Sequence, residues 1–392
     1  MTAHREWMRV PCAIVRGGTS KGIFFKEHEV PPAGKLRDAV ILRIFGSPDQ
    51  RQIDGLAGAN SLTSKVAIIG PSARPGVDVD YTFGQVSVTD SVIDWRGNCG
   101  NLSSAVGLYA VDEGFVKPAE PTTTVSIYNT NTDKMIYATV PVKDGRGLSE
   151  GDYEIRGVPG TGARILLEFA DPAGSVTKKL LPTGNTKDTV DLGPKGKYTV
   201  SVVDAANPVV FCKAEELGLQ GTELPTEVEG MPEILALIEE IRSVVAAKIG
   251  IVCDAKVATK ESPAIPKIGF VSKKRDYKTP DGKTILAKDI DFVARLASMQ
   301  KMHRAYMVTG GVCTGAACKI EGTVLWDVLD ETARKSDVFR IGHPYGVMDV
   351  KVTSNPGDPE KLIQRVGVGR TARRLLEGYA FVPKSVFENG RG

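Results

Sequence analysis

Apolar and polar residues alternate through Val77-Asp78-Val79-Asp80-Tyr81-Thr82-Phe83, the two-residue period of a strand with one buried face. Thr123, Val125 and Ile127 repeat the pattern. Past the turn-forming tract Asn129-Thr130-Asn131-Thr132-Asp133, a second strand-like run extends from Met135 to Val142, which predicts an antiparallel hairpin. Elsewhere the period is helical. Leu36, Val40 and Ile44 lie a turn apart, and the pattern stops at Gly46-Ser47-Pro48, where glycine and proline end a helix. Pro232 opens a longer helix with Ile234, Leu237, Ile238, Ile241 and Val245 on one face and Gly250 at its end.

Each half of the chain carries a glycine-bearing segment with a cysteine. One is Gly97-Asn98-Cys99-Gly100-Asn101-Leu102-Ser103-Ser104-Ala105-Val106, the other Thr309-Gly310-Gly311-Val312-Cys313-Thr314-Gly315-Ala316-Ala317. Both read as turns opening into helices of small residues. As a weak internal repeat they predict two similar domains, each with a small-residue helix at its centre. The length of 392 residues also exceeds what one core usually fills. The polar tract Leu181 to Lys187 marks the expected boundary, giving domains 1–185 and 186–392, with the last strand free to cross back to the first. Together, 42 glycines, 23 prolines and 6% aromatics point to short strands joined by tight turns, not to a helical bundle.

The net charge of +3 is spread along the chain, which argues against a nucleic-acid partner and leaves a small anionic ligand as the compatible one. Lys273-Lys274-Arg275 reads as a solvated face. No apolar run approaches a membrane span, and Met1 to Glu6 lacks the core of a signal peptide, so a cytoplasmic protein without membrane contact is expected. The six cysteines form no disulfide framework. Neither a zinc-type spacing, a dinucleotide fingerprint nor a P-loop occurs, so no metal or cofactor is expected.

Cys99 stands where a helix begins, a place where unpaired amides and the helix dipole favour a thiolate and attract anions; the competing reading is a small packed side chain. Lys65 joins the polar Leu62-Thr63-Ser64 to the apolar Val66-Ala67-Ile68-Ile69, so its strand is suited to desolvate it. Arg16-Gly17-Gly18-Thr19-Ser20-Lys21-Gly22 offers close backbone approach and two hydroxyls, and reads equally well as a plain turn. His303 and His343 read as structural, and Cys318 as core.

Taken together, Arg16 to Gly22, Gly46 to Asp49 with Gln52 to Gly55, Leu62 to Lys65, Asp78 to Tyr81 and Asn98 to Asn101 strongly resemble the motifs of the 2-methylaconitate isomerase family. That family includes methylitaconate Δ-isomerase, 2-methylaconitate cis–trans isomerase, aconitate isomerases and 4-oxalomesaconate tautomerase. The resemblance covers nearly the whole chain. It implies an α+β, diaminopimelate-epimerase-like fold, two similar domains each wrapping a mixed sheet around a central helix. It also implies a cofactor-independent allylic 1,3-proton shift on a small unsaturated di- or tricarboxylate. Lys65 and Cys99 then form the acid/base pair. Thr19, Ser20, Ser64, Asn98, Gly100, Asn101, Cys313, Thr314 and Gly315 are the expected substrate-binding residues, with carboxylates held at helix entrances at Gly100-Asn101 and Thr314-Gly315. The segments Arg51 to Ala59 and Leu62 to Lys65 look most like methylitaconate Δ-isomerase, which makes methylitaconate to dimethylmaleate the expected reaction. Two readings of other classes stand beside it: a two-cysteine amino-acid epimerase using Cys99 and Cys313, and a non-catalytic carboxylate-binding protein. A homo-oligomer is compatible with all three.

Overall fold

The computed structural model describes residues 6–95, 97–358 and 362–389; Met1 to Arg5, within the segment expected to lack a signal peptide, lie outside them. The chain divides into two compact units, Met1–Leu167 with Gly369–Gly392, and Glu168–Val368.

In the first unit, β1 (Trp7–Gly17) turns into β2 (Ser20–Lys26) as an antiparallel hairpin with Gly17 opposite Ser20. α1 (Lys35–Phe45) crosses over to β3 (Lys65–Pro71), parallel to β2, and β4 (Val79–Val86) returns antiparallel to β3. A second crossover, α2 (Gly100–Asp112), leads to β5 (Thr122–Asn129), parallel to β4, and β6 (Lys134–Lys143) closes a hairpin with β5. The alternation expected from Val77 begins as a strand only at Val79, because the Asp78 carboxylate is held by the Ser126 amide and hydroxyl at 2.7 and 2.6 Å. α1 ends where Gly46 takes a left-handed conformation, φ 77°, as its sequence predicts.

The second unit repeats this order. β7 (Lys197–Ala205) and β8 (Asn207–Lys213) form a hairpin, α3 (Pro232–Lys248) crosses over to β9 (Lys267–Lys273), parallel to β8, and β10 (Phe292–Ser298) is antiparallel to β9. α4 (Val308–Cys318) then leads to β11 (Val338–His343), parallel to β10 and paired antiparallel with β12 (Gly346–Ser354). The pairings run antiparallel, parallel, antiparallel, parallel, antiparallel in both units. β13 (Ala372–Pro383) returns to the first unit, antiparallel to β1. The tract Leu181 to Lys187, expected as a domain boundary, lies inside the second unit. There Thr183 and Asn185 bond the Asp188 carboxylate at 2.5 and 3.0 Å, and Lys248 pairs with it at 2.7 Å, so the tract is tied down.

Each sheet has two apolar faces with different partners. In the first unit Ile23, Phe25, Val66 and Ile68 pack under α1 with Val40, Ile41, Ile44 and Phe45, whereas α2 packs on β1, β5 and β6 from the other side. In the second, Val210, Cys212, Ile268 and Phe270 pack under α3 with Ile238, Ile241 and Val245, and α4 packs on β7, β8 and β12. α2 and α4 carry glycines where a facing strand leaves no room for a Cβ. A Cβ at Gly107 would lie 2.6 Å from Ala138, and one at Gly315 would lie 2.5 Å from Val350. Among the described residues no helix is long and apolar enough to cross a membrane.

Candidate active site

Lys65 is the first residue of β3, and strand alternation sends its side chain to the α2 face, opposite Val66 and Ile68. It is 7% exposed. Its ammonium donates to Gln85 Oε1 at 2.6 Å and sits 5.3 Å from the centre of the Phe83 ring. Gln85 is its cross-strand partner and is itself fixed, donating through Nε2 to the carbonyls of Ser64 at 2.8 Å and Ser61 at 3.3 Å. The amine is thus held by a neutral amide and an aromatic face.

Cys99 is the N-cap of α2, half-buried and in extended conformation. Its carbonyl accepts from the Ser103 amide at 2.9 Å and the Ser103 hydroxyl at 3.0 Å, while its Sγ lies 3.9 Å from Ser20 Oγ. The Cys99 side chain does not cap the helix, and the first-turn amides of Gly100 and Asn101 are suited to an anion. The segment Ser20 to Gly22 links the two candidates. Ser20 touches Cys99, and a Cβ at Gly22 would lie 2.8 Å from the Lys65 carbonyl and 3.0 Å from Leu102 of α2.

Thr19 and Asn101 clasp each other: Asn101 Nδ2 donates to Thr19 Oγ1 at 3.1 Å, and the Thr19 amide to Asn101 Oδ1 at 3.4 Å. Gly18, φ 51°, passes against that same Asn101 side chain, where a Cβ would collide. Asn98 Oδ1 accepts from Ser103 Oγ at 3.1 Å and braces the turn. Ser64 is wholly buried, its hydroxyl accepting from Gln52 Nε2 at 2.8 Å, so it supports the loop before Lys65. Among the described residues no group of three or more His, Cys, Asp or Glu could hold a metal.

The second-unit candidates stand elsewhere than expected. α4 begins at Val308, so Cys313, Thr314 and Gly315 lie inside the helix and not at its entrance. Their amides are within the helical ladder. Cys313 is fully buried, its thiol donating to the Val203 carbonyl at 3.1 Å, and burial pushes that thiol well above its usual range. Thr314 Oγ1 donates back to Gly310 at 2.8 Å and pairs with the Tyr306 hydroxyl at 2.8 Å. The residue occupying the place of Cys99 at the entrance of α4 is Met307. The Cys313 thiol is thus taken up inside its own unit, which gives the two-cysteine epimerase reading no support.

Three residues of the site were not named as candidates from the sequence, although Tyr81 and Gln52 lie in the motif segments that carry the resemblance. Gln85 carried a readable signal, since the inward phase Val79, Tyr81, Phe83 falls next on it and a polar side chain in an apolar phase asks for a partner. Tyr81, wholly buried, has its phenol pushed well above its usual range by burial, with the neighbouring Cys99 adding to the effect. Gln52 joins Ser64 to Ser47 and the Ala59 amide at 2.8 to 2.9 Å from an irregular loop whose periodicity gives no sign of it.

The same fold is found in a hydroxyproline epimerase from Agrobacterium vitis, which superimposes with a TM-score of 0.54 at 14% identity, over 96% of this chain and 92% of that one, a likeness of fold alone. Residues 7–383 match the family described as PrpF protein, and the chain belongs to that family. It is 52% identical to the 3-methylitaconate isomerase of Eubacterium barkeri over 381 residues, 97% of this chain and 99% of that one. Against the 2-methyl-aconitate isomerase of Shewanella oneidensis, identity is 37% over 390 residues, 96% and 98% of the two chains. A crystal structure of methylitaconate-delta-isomerase superimposes with a TM-score of 0.89 at 50% identity, covering 97% of both chains. With such relatives along nearly its whole length, the chain is an isomerase.

Proposed function

We propose that this isomerase shifts a double bond in a small unsaturated di- or tricarboxylate by an allylic 1,3-proton transfer, with Lys65 and Cys99 as the acid/base pair and methylitaconate as substrate. Lys65 takes the proton next to a carboxylate, and the C–H electron pair spreads through the alkene into the carboxylate as a dienolate. Cys99 returns a proton at the far end of the allylic unit, giving dimethylmaleate. The bond lost at one carbon is regained at another, so no oxidant or reductant enters. Substrate carboxylates suit the uncapped amides of Gly100 and Asn101, where the positive helix end steadies the charge that builds during the reaction.

Two observations support this reading: a buried amine held by a neutral amide and a thiol at a helix entrance, with the backbone of Lys65 and the side chain of Cys99 both bordering Ser20 to Gly22. Methylitaconate is preferred over 2-methylaconitate because the relative named for it is the more similar, 52% against 37%.

Proton NMR in deuterated buffer with methylitaconate, 2-methylaconitate, trans-aconitate and oxalomesaconate tests it. The expected result is allylic deuterium uptake and double-bond migration, fastest with methylitaconate. Faster turnover of another acid reassigns the substrate, and no exchange with any of them rejects the reading.

A further inference from the structure

β4 turns every second residue toward α2, among them Tyr81, Phe83 and Gln85. Two of these serve Lys65, Gln85 through its hydrogen bond and Phe83 through its ring. The third belongs to the other candidate. The Tyr81 phenol reaches the entrance of α2, where Cys99 and Ser103 are the groups that sense it. One strand thus supplies a neighbour to each member of the proposed acid/base pair.

Tyr81 is a donor with nothing to donate to. Its side chain is wholly buried, and its hydroxyl makes no hydrogen bond among the described residues. A buried hydroxyl without a partner is destabilising, and phenylalanine would fill the same space without that cost. The backbone that carries it is held firmly. The Tyr81 carbonyl accepts from Asn129 Nδ2 at 3.2 Å and from the Thr130 amide at 3.0 Å, while Asn131 bonds both the amide and the carbonyl of Phe83 at 2.8 Å. The tract that the sequence presents as a turn therefore also clamps β4. A sulfur in the thiol form accepts weakly, which agrees with a hydroxyl left unbonded; a thiolate accepts strongly.

We propose that Tyr81 is a positioning residue for the reaction, its hydroxyl donating to Cys99 in the thiolate form and favouring that form. The inference rests on the role proposed for Cys99. As Cys99 returns its proton to the substrate it becomes a thiolate, so a donor placed in advance stabilises the charge that develops on sulfur. Tyr81 acts through the thiol as Gln85 acts through the amine. Burial holds the phenol well above its usual range, and it keeps its proton while the sulfur gives one up. Besides Tyr81, the charged side chains turned toward α2 are Lys65 of β3, with Lys26 of β2 and Arg374 of β13, which both pair with Glu113 at the far end of the helix.

Alkylation of the full chain by iodoacetamide, with the Cys99 peptide followed by mass spectrometry, tests this without any substrate, since the thiolate is the form that reacts. At neutral pH the cysteine of Tyr81→Phe is expected to react about tenfold more slowly than that of wild type, and the gap closes in a medium alkaline enough to ionise both thiols. Cys253, exposed and in the second unit, reacts equally in the two proteins. Loss of an unpartnered hydroxyl leaves the melting temperature equal or higher. With methylitaconate, kcat falls about tenfold and KM stays within about twofold of wild type. Slowed alkylation in Tyr81→Phe, with a wild type that turns over none of the acids, upholds the hydrogen bond and rejects the proposed reaction. Unaltered alkylation of Cys99, an equal slowing at Cys253, or a lowered melting temperature overturns the proposal.

Discussion

Gln85 faces Lys65 directly across β3 and β4 and accepts a hydrogen bond from its ammonium at 2.6 Å. A neutral acceptor orients the amine without adding a negative charge that would hold its proton. Replacing the amide by a carboxylate changes that balance. In Gln85→Glu a charged acceptor faces the ammonium and favours its protonated form. Turnover near neutral pH falls and recovers as pH rises; an unshifted pH–rate profile in a folded variant contradicts the role given to Lys65.

Cys99→Ser separates packing from chemistry. Serine is a good N-cap, and position 99 already has the extended conformation that a cap requires, so the variant keeps its stability or gains up to about 1 kcal/mol. Its rate drops by about 10²- to 10⁴-fold, because a hydroxyl does not replace a thiol as proton donor. Thermal melting and steady-state kinetics on one preparation check both halves. Full activity reduces Cys99 to a helix cap.

Much of the architecture was legible because local pattern and tertiary packing agree. The hairpin from Thr122 to Lys143 follows its alternation and its Asn-Thr-Asp turn, and α1 and α3 stop where their glycines stand. At α2, asparagine and glycine around Cys99 marked a helix entrance correctly. The same reasoning misplaced the start of α4, because Gly310, Gly311 and Gly315 resemble a turn. They are helical glycines, placed where α4 lies against Leu296, Met348 and Val350, a demand made by the opposing strands and invisible in the local sequence. Lys267 was equally hidden, an ordinary strand-flanking lysine until the two strand orders are laid side by side.

The buried lysine of the second unit predicts a pH signature in stability. Its folded pKa, about 8, lies below the ordinary value of 10.5, so between these limits the unfolded chain holds more protons and folding becomes more favourable as pH rises. Below about 8 the cost of the buried charge is fully present. The Lys267→Met variant lacks this cost, and its advantage in melting temperature over wild type is therefore largest near pH 7 and shrinks toward pH 10. Referring each melt to wild type at the same pH cancels the titration of other groups, except Cys313 and His303, which sense Lys267 directly. A constant difference across that range contradicts the buried, charged state.

Allylic hydrogen exchange by Lys65→Met in deuterated buffer bears on the pair most directly. Methionine fills the same buried space without an amine, so the variant folds with an unchanged or higher melting temperature. With methylitaconate in excess, the expected result is no detectable deuterium at the allylic carbon over a period in which the wild type exchanges it completely. Exchange by the folded variant at a rate near that of the wild type contradicts it.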